Sequence, residues 1–566
     1  MQFTVDNHPT DIRRGESLLS VVRRLGLDCE SLAERPLAAS FSGEIFTLNY
    51  IPQRTGDLTP ISRRSIRASG GKISLIRYND MRGKRVYERT LLFVFFLAMR
   101  ELFPLQRVRI GSAVGAGIYA SFADGTPITA DDILRIRHKM REIVSADYTL
   151  ERRRLDIDDA ISVFASDGQT DKVRLLEWRN LSYFDVYQHG DYLDYFYGEM
   201  APSTGYASVF NLQHESPGLL LVRPSDENPD VPANRVKLPI LLSVFKQSDD
   251  WNRLMRCDSV ADLNAMVLDG SVRTLIRVNE ALHEKRFAEL SDEIIARGAR
   301  AVMIAGPSSS GKTTSANRLC TQLRVHGKTP ILFSLDDYYI DRDQCIPDEN
   351  GEIDLEHINT IDVPLFREHL KKLLNGEVVE VPRFDFNVQK RVWDGRTLHI
   401  DENTPLVIEG LHALNPAMMP EGIDANLVFR LYVSALTTLN LDDHNRIPTT
   451  QLRQLRRIVR DYDTRSTSVE ETLARWDSVR RGEERWIFPY QESADAVFNT
   501  TLIYEAAVMK KHVFPLLTAV KPDSPYYDQV RAIVKFLNYF VEADVEDEIP
   551  PTSILREFVG GCTFYR

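Results

Sequence analysis

The stretch IAGPSSSGKTTSAN, residues 304–317, governs the reading of the whole chain. Gly306 to Thr313 satisfy the spacing G-x-x-x-x-G-K-[ST]. The preceding AVMIA reads as a buried strand, and the following TTSANRLCTQLRVHG reads as a helix that stops at Gly327. A loop this rich in Gly and Ser can turn backbone N–H groups inward, and the helix start adds partial positive charge. Gly306, Ser308, Ser309, Ser310, Gly311, Lys312, Thr313 and Thr314 are therefore the expected phosphate cradle of a nucleotide. Lys312 would reach the terminal phosphates, and the Thr313 hydroxyl would hold Mg²⁺.

Carboxylates are expected near that cradle. Asp336 and Asp337 follow the strand-like ILFSL, and Glu409 ends the strand-like PLVIEG. Strand ends on the carboxyl side of an open α/β sheet are where ligands bind. A carboxylate there can take the proton of an attacking hydroxyl, which is the role expected of Asp336. A second can hold Mg²⁺ or its water, the role expected of Glu409. Downstream, QLRQLRRIVRDYDTR places Arg453, Arg457 and Arg460 on one helical face, with Arg465 just beyond. Guanidinium forks match phosphate oxygens and offset charge that develops on them, so a closing arginine lid is expected.

The 566-residue length implies about three domains. A net charge of −11 disfavours a wholesale polyanion binder, although Arg63 to Arg89 is locally basic. The five cysteines are scattered without a CxxC pair, which suits reduced thiols in a cytoplasmic protein. The beginning MQFTVDNHPT lacks the features of a signal peptide. The apolar run LLFVFFLAM at 91–99 is about half a membrane span, so it is expected as a buried helix and no membrane is expected as a partner.

The texture of the chain predicts a multidomain α/β protein. Residues 1–62 read as a small ubiquitin-like module, 63–225 as an α+β domain, and 226–298 as a Pro/Asn-rich linker followed by helices. Residues 299–520 alternate apolar strands with helices, which implies a parallel sheet flanked by helices. Residues 521–566 read as a helix and an ordered tail.

GPSSSGKTT, SLDDYY, VPRFDFNVQKR, LVIEGLHAL, RRIVRDYDTR and PYQESADAVFN, in this order, resemble the uridine kinase and phosphoribulokinase family of P-loop kinases. The resemblance spans about 300–515. It implies ATP and Mg²⁺ as cofactors, Asp336 as general base, Glu409 beside the metal, and Arg457, Arg460 and Arg465 near the phosphates. It also implies an acceptor pocket around Tyr339, Glu356, Phe384, Asp385, Phe386 and Gln389. Uridine-cytidine kinases carry Y-D-F-x-x-H where this chain has FDFNVQ at 384–389, so both polar base readers differ. The ribose-contacting aspartate is replaced by Glu356 or displaced to Asp354, and Thr467 stands where the family's lid ends in arginine. The resemblance implies phosphorylation of a nucleoside-like hydroxyl.

The front half resembles the N-terminal region of threonyl-tRNA synthetases through RVRIGSAVGAGIYASF, ITADDILRIRHKMREIVSADYTLERR and YGEMAPSTG. The hydrolytic His and Cys positions of that editing domain fall here on Arg89, Phe93, Phe196 and Met200, none of which can ligate a metal through imidazole or thiolate. A docking or recognition module is the expectation, with RNA contact and homo-oligomerisation left open. Rival readings are a regulatory RNA-binding protein that uses the loop as a nucleotide switch, a sugar-phosphate kinase resembling phosphoribulokinase, and a GTPase, for which VKPD at 520–523 lacks the Asn of a guanine reader.

Overall fold

The structure is a computed structural model that describes residues 2–13, 15–41, 44–51, 72–179, 182–235, 237–345, 354, 356–386 and 388–564. Arg63, Arg64 and Arg67 of the basic stretch, and Asn387 of the FDFNVQ motif, lie outside the described residues.

The first module is a five-stranded sheet in the order His8–Asp11, Gln2–Val5, Lys72–Ile76, Ala38–Phe41, Glu44–Thr47. The helix Leu18–Arg24 covers it through Leu18, Val21 and Val22. The central strand Lys72–Ile76 runs parallel to Gln2–Val5 and antiparallel to Ala38–Phe41. The module therefore extends past the boundary expected at residue 62, because KISLI supplies the hydrogen bonds that close two otherwise separate hairpins.

The second module packs a four-stranded antiparallel sheet and a three-stranded one against the helix Met81–Leu102. Every residue from Leu91 to Met99 is buried in this helix, which accounts for its apolar run. Phe93 and Phe196 pack edge to face at 6.2 Å, and Arg89 donates to the Glu199 carbonyl at 3.0 Å. Phe93, Phe196 and Met200, which the synthetase resemblance aligns with hydrolytic residues, thus lie in one buried apolar cluster. Among the described residues, no three His, Cys, Asp or Glu side chains are grouped to hold a metal. Three cations of the basic stretch are paired within the fold: Arg77 with Asp6 at 2.7 Å, Lys84 with Asp226 at 2.6 Å, and Arg82 with Asp80 at 2.5 Å. No described helix is long and apolar enough to cross a membrane.

The C-terminal half is built on a five-stranded, all-parallel sheet in the order Ile331–Ser334, Leu406–Glu409, Ala301–Ala305, Val428–Ser434, Ala496–Asn499. The strands Ala301–Ala305 and Leu406–Glu409 are buried along their full length, as expected of a sheet covered on both faces. The register sets Ile304, Ser334 and Glu409 side by side at the carboxyl edge.

The two halves are interlocked. Between the strand Val428–Ser434 and the helix Thr449–Arg465, the hairpin Asn440–Arg446 inserts into the front module, with the Asp443 carbonyl accepting from the Ile110 N–H at 2.8 Å. His444 donates to Asp194 at 2.8 Å, and Lys172 pairs with the other Asp194 oxygen at 3.1 Å. Lys172 and Asp194 are almost fully buried, so their charges depend on each other. His444 is thus an interdomain hydrogen bonder. A single apolar cluster takes Phe164, Leu175 and Tyr195 from the front module, Leu263 and Ile276 from the connecting helices, and Leu455, Met509, Phe536 and Val559 from the C-terminal half.

Candidate active site

The strand Ala301–Ala305 runs into the loop 306–311, and the helix Lys312–Val325 leaves it. Ser309 and Gly311 adopt left-handed backbone conformations, φ 58° and 84°. Gly311 also has no space for a side chain, since a Cβ there would lie 2.7 Å from Ile554. Gly306 is required by close approach: a Cβ would sit 2.0 Å from the Val433 carbonyl oxygen of the neighbouring strand. The loop is held from behind. The Thr500 hydroxyl donates to the Ser310 carbonyl at 2.7 Å, and the Ser308 N–H donates to Glu483 at 3.2 Å. The hydroxyls of Ser309 and Ser310 are buried and find no hydrogen-bond partner among the described residues. Buried hydroxyls of this kind are costly unless a ligand satisfies them, and phosphate oxygens would do so.

Lys312, Asp336 and Glu409 converge. The Ser334 hydroxyl donates to Glu409 at 3.1 Å and accepts the Asp336 N–H at 3.3 Å, which ties the two strand tips together. Burial pushes the Asp336 carboxyl up; the Lys312 ammonium opposes this, Asp337 adds to it, and Arg465 opposes it. Burial, then the Asp336 charge, raises Glu409 to about 7, against the pull of Lys312. The pair is two carboxylates sharing one ammonium, so one of them holds a proton near neutrality. Thr313 and Glu409 offer a hydroxyl and a carboxylate, hard oxygen donors of the type Mg²⁺ takes together with substrate phosphates.

That proton has a consequence for stability. A carboxyl raised in the folded state stabilises the protein fully below its unfolded pKa, and the contribution is lost as pH rises through the folded value. With Glu409 at about 7, the nucleotide-free protein should lose stability between pH 4.5 and 7. Glu409→Gln should flatten that slope and raise the melting temperature at pH 8, read by thermal denaturation in EDTA. An unchanged slope would mean that Glu409 is not the group held protonated.

Asp337 points elsewhere. It accepts from the Phe384 N–H at 3.2 Å and from Arg396 at 2.8 Å, bracing the hairpin Arg383–Val392. That hairpin carries Phe384 and Phe386, whose rings lie 5.1 Å apart and 5.6 and 6.4 Å from the Tyr339 ring. Asp385 is half-buried beside them, whereas Gln389 is exposed at a left-handed position of the turn. Of the two acidic alternatives, Asp354 caps the turn by accepting the Glu356 N–H at 3.0 Å, whereas Glu356 faces the cradle. Burial and the Glu483 charge raise Glu356 to about 7, against Arg457 and Lys312.

The arginine helix differs from the expected lid. Of Arg457, Arg460 and Arg465, which the resemblance places near the phosphates, Arg457 bonds the loop, donating to the Ser308 hydroxyl at 2.9 Å. Arg460 is tied by two hydrogen bonds to Asp461, and Arg465 lies 3.4 Å from the same carboxylate, although its charge reaches Asp336. Arg453 is 1 % exposed, pairs with Glu483, and donates to the Ser308 carbonyl at 3.0 Å. Arg456 is wholly buried against Glu505. The helical period placed these side chains correctly around the axis, but it could not show that one long face is covered by the helices Val469–Trp486 and Glu505–Thr518. Glu483 and Glu557, which both touch the loop or its helix, were missed; no local pattern marks either.

With the strand order, phosphate loop and paired carboxylates in place, the comparison with known proteins becomes specific. Residues 301–504 match the Phosphoribulokinase / Uridine kinase family. The matched residues hold the parallel sheet and the phosphate loop. The front of the chain is similar to threonine–tRNA ligases: that of Geobacter sp. (strain M21) is 28% identical over 207 residues, 37% of this chain and 30% of that protein. The Rhodospirillum rubrum ligase is 36% identical over 134 residues, 24% of this chain and 21% of the ligase. The chain thus spans less than a third of the length of these ligases. A solved structure described as a possible uridine kinase from Bacillus stearothermophilus is 21% identical, with a TM-score of 0.27, covering 38% of this chain and 98% of its own.

Proposed function

We propose that this protein uses ATP and Mg²⁺ to phosphorylate a hydroxyl of a nucleoside-like acceptor. The observation that carries the proposal is the convergence of Lys312, Asp336 and Glu409 beside the loop. The loop N–H groups, with the Ser309 and Ser310 hydroxyls, would bind the phosphates, and Lys312 would neutralise charge on the terminal ones. Mg²⁺, when bound by Thr313 and Glu409, would supply further charge neutralisation there. Asp336 would accept the acceptor's hydroxyl proton as the oxygen forms its bond to the γ-phosphorus and the bond to the β-phosphate oxygen breaks, releasing ADP. Arg457, anchored on Ser308, would orient the same phosphates from the other side.

The Tyr339, Phe384 and Phe386 rings support a planar acceptor, since Phe386 is 62% exposed and offers a face for stacking. Glu356 would take an acceptor hydroxyl, with one carboxylate oxygen buried and unpartnered among the described residues. The test is ADP release by the full chain across nucleosides and sugar phosphates. Turnover with a nucleoside supports the proposal, and turnover confined to sugar phosphates replaces the acceptor class. The likeness to threonine–tRNA ligases supports a second reading, an RNA-binding regulator with the loop as its switch. That reading requires tight tRNA binding and no acceptor-dependent ADP release.

A further inference from the structure

The segment 553–558 reaches the phosphate cradle. Glu557, in the short helix Arg556–Val559, accepts a hydrogen bond from the Thr314 hydroxyl at 2.5 Å. Thr314 is the third residue of the helix that leaves the loop, at the end where unpaired N–H groups and the helix dipole favour an anion. The contact is built. Ile554 fills the space beside Gly311, and the Arg456 guanidinium lies 5.1 Å from the Phe558 ring centre. The Ser553 hydroxyl donates to Glu280 at 2.6 Å and caps the Leu555 N–H at 3.1 Å. Glu557 itself is half-buried, and its charge is felt at Glu409. A carboxylate therefore stands where a phosphate cradle otherwise gathers positive charge.

Building on the kinase reading above, we propose that Glu557 is a specificity-determining residue that makes the cradle select metal-complexed nucleotide over free nucleotide. The physical reason is charge. A metal-free triphosphate brings its whole polyanionic charge to the loop and meets the Glu557 carboxylate at close range, in a site of reduced dielectric. A divalent cation cancels part of that charge before it arrives, so the same carboxylate repels the complex less. Glu557 also engages the Thr314 hydroxyl, so a phosphate oxygen that reaches for that hydroxyl must compete with it. Selection of this kind keeps the loop from filling with nucleotide that cannot react.

Calorimetric titration of ATP into the full-length protein tests this, with one arm in EDTA and one in excess Mg²⁺, for wild type, Glu557→Gln and Glu557→Asp. Glu557→Gln should tighten metal-free ATP about fivefold and change Mg²⁺–ATP less than about twofold, while Glu557→Asp keeps the wild-type ratio. The ratio of the two dissociation constants comes from one preparation, so it does not depend on the folded fraction. An unchanged ratio in Glu557→Gln, or equal weakening in both arms, would reduce Glu557 to a brace and overturn the proposal. If wild type binds ATP in neither arm, the kinase reading falls with it. If wild type binds and the ratio is unmoved, only the role of Glu557 falls.

Discussion

Asp336→Asn should lower acceptor-dependent ADP release by about 10²–10⁴-fold, the range for losing a positioned general base. ATP affinity should stay close to wild type, because Asp336 faces Lys312 and Glu409 rather than the loop N–H groups. The raised carboxyl of Asp336 gives it the basicity to accept a proton at working pH, which an amide cannot do at all. Steady-state ADP release and an ATP titration on the same variant separate the two effects. Turnover near wild type would remove Asp336 from the chemistry, and with it the case for hydroxyl phosphorylation.

The largest expected loss of stability comes from Glu483. This carboxylate is wholly buried and serves three partners: Arg453, Arg480 at 2.8 Å, and the Ser308 N–H at 3.2 Å. Glu483→Gln leaves the Arg453 guanidinium buried without a counter-charge, which should cost about 3–5 kcal/mol in denaturant unfolding. Its neighbour Glu484 pairs with Arg480 from a surface position, and Glu484→Gln should cost about 1 kcal/mol or less. The buried variant should also weaken ATP binding, because Glu483 and Arg453 together fix the backbone of Ser308. Equal effects of the two substitutions would show that the buried pair carries no special weight.

The strand–loop–helix unit around Gly306 was legible because everything that defines it is local: an apolar run, a Gly/Ser turn and a helical period. Asp336 and Glu409 follow from the same local logic, Glu409 ending its strand and Asp336 lying two residues past Ser334, where its own strand ends. The contacts that decide which charges stay free were not. Glu483 lies 175 residues from Ser308, and Glu557 lies 243 residues from Thr314, so nothing near either residue advertises the pairing. The arginine helix shows the limit in a second way. Its period is plain in the sequence, yet which of its guanidinium groups are neutralised depends on the helices laid over it. The strand Lys72–Ile76 was excluded from the first module because its parallel partner, Gln2–Val5, lies at the far end of that module's sequence.

The apolar cluster that joins Phe164 and Tyr195 to Leu455 and Val559 changes what the front half is for. A second cluster seats Val114 and Leu220 of the front sheet against residues of the parallel sheet, such as Met303 and Tyr432. Cutting the chain before the phosphate loop would strip one wall from both, and the exposed surfaces would drive aggregation rather than liberate a smaller enzyme. The front half is thus part of the interior on which the phosphate-loop half rests.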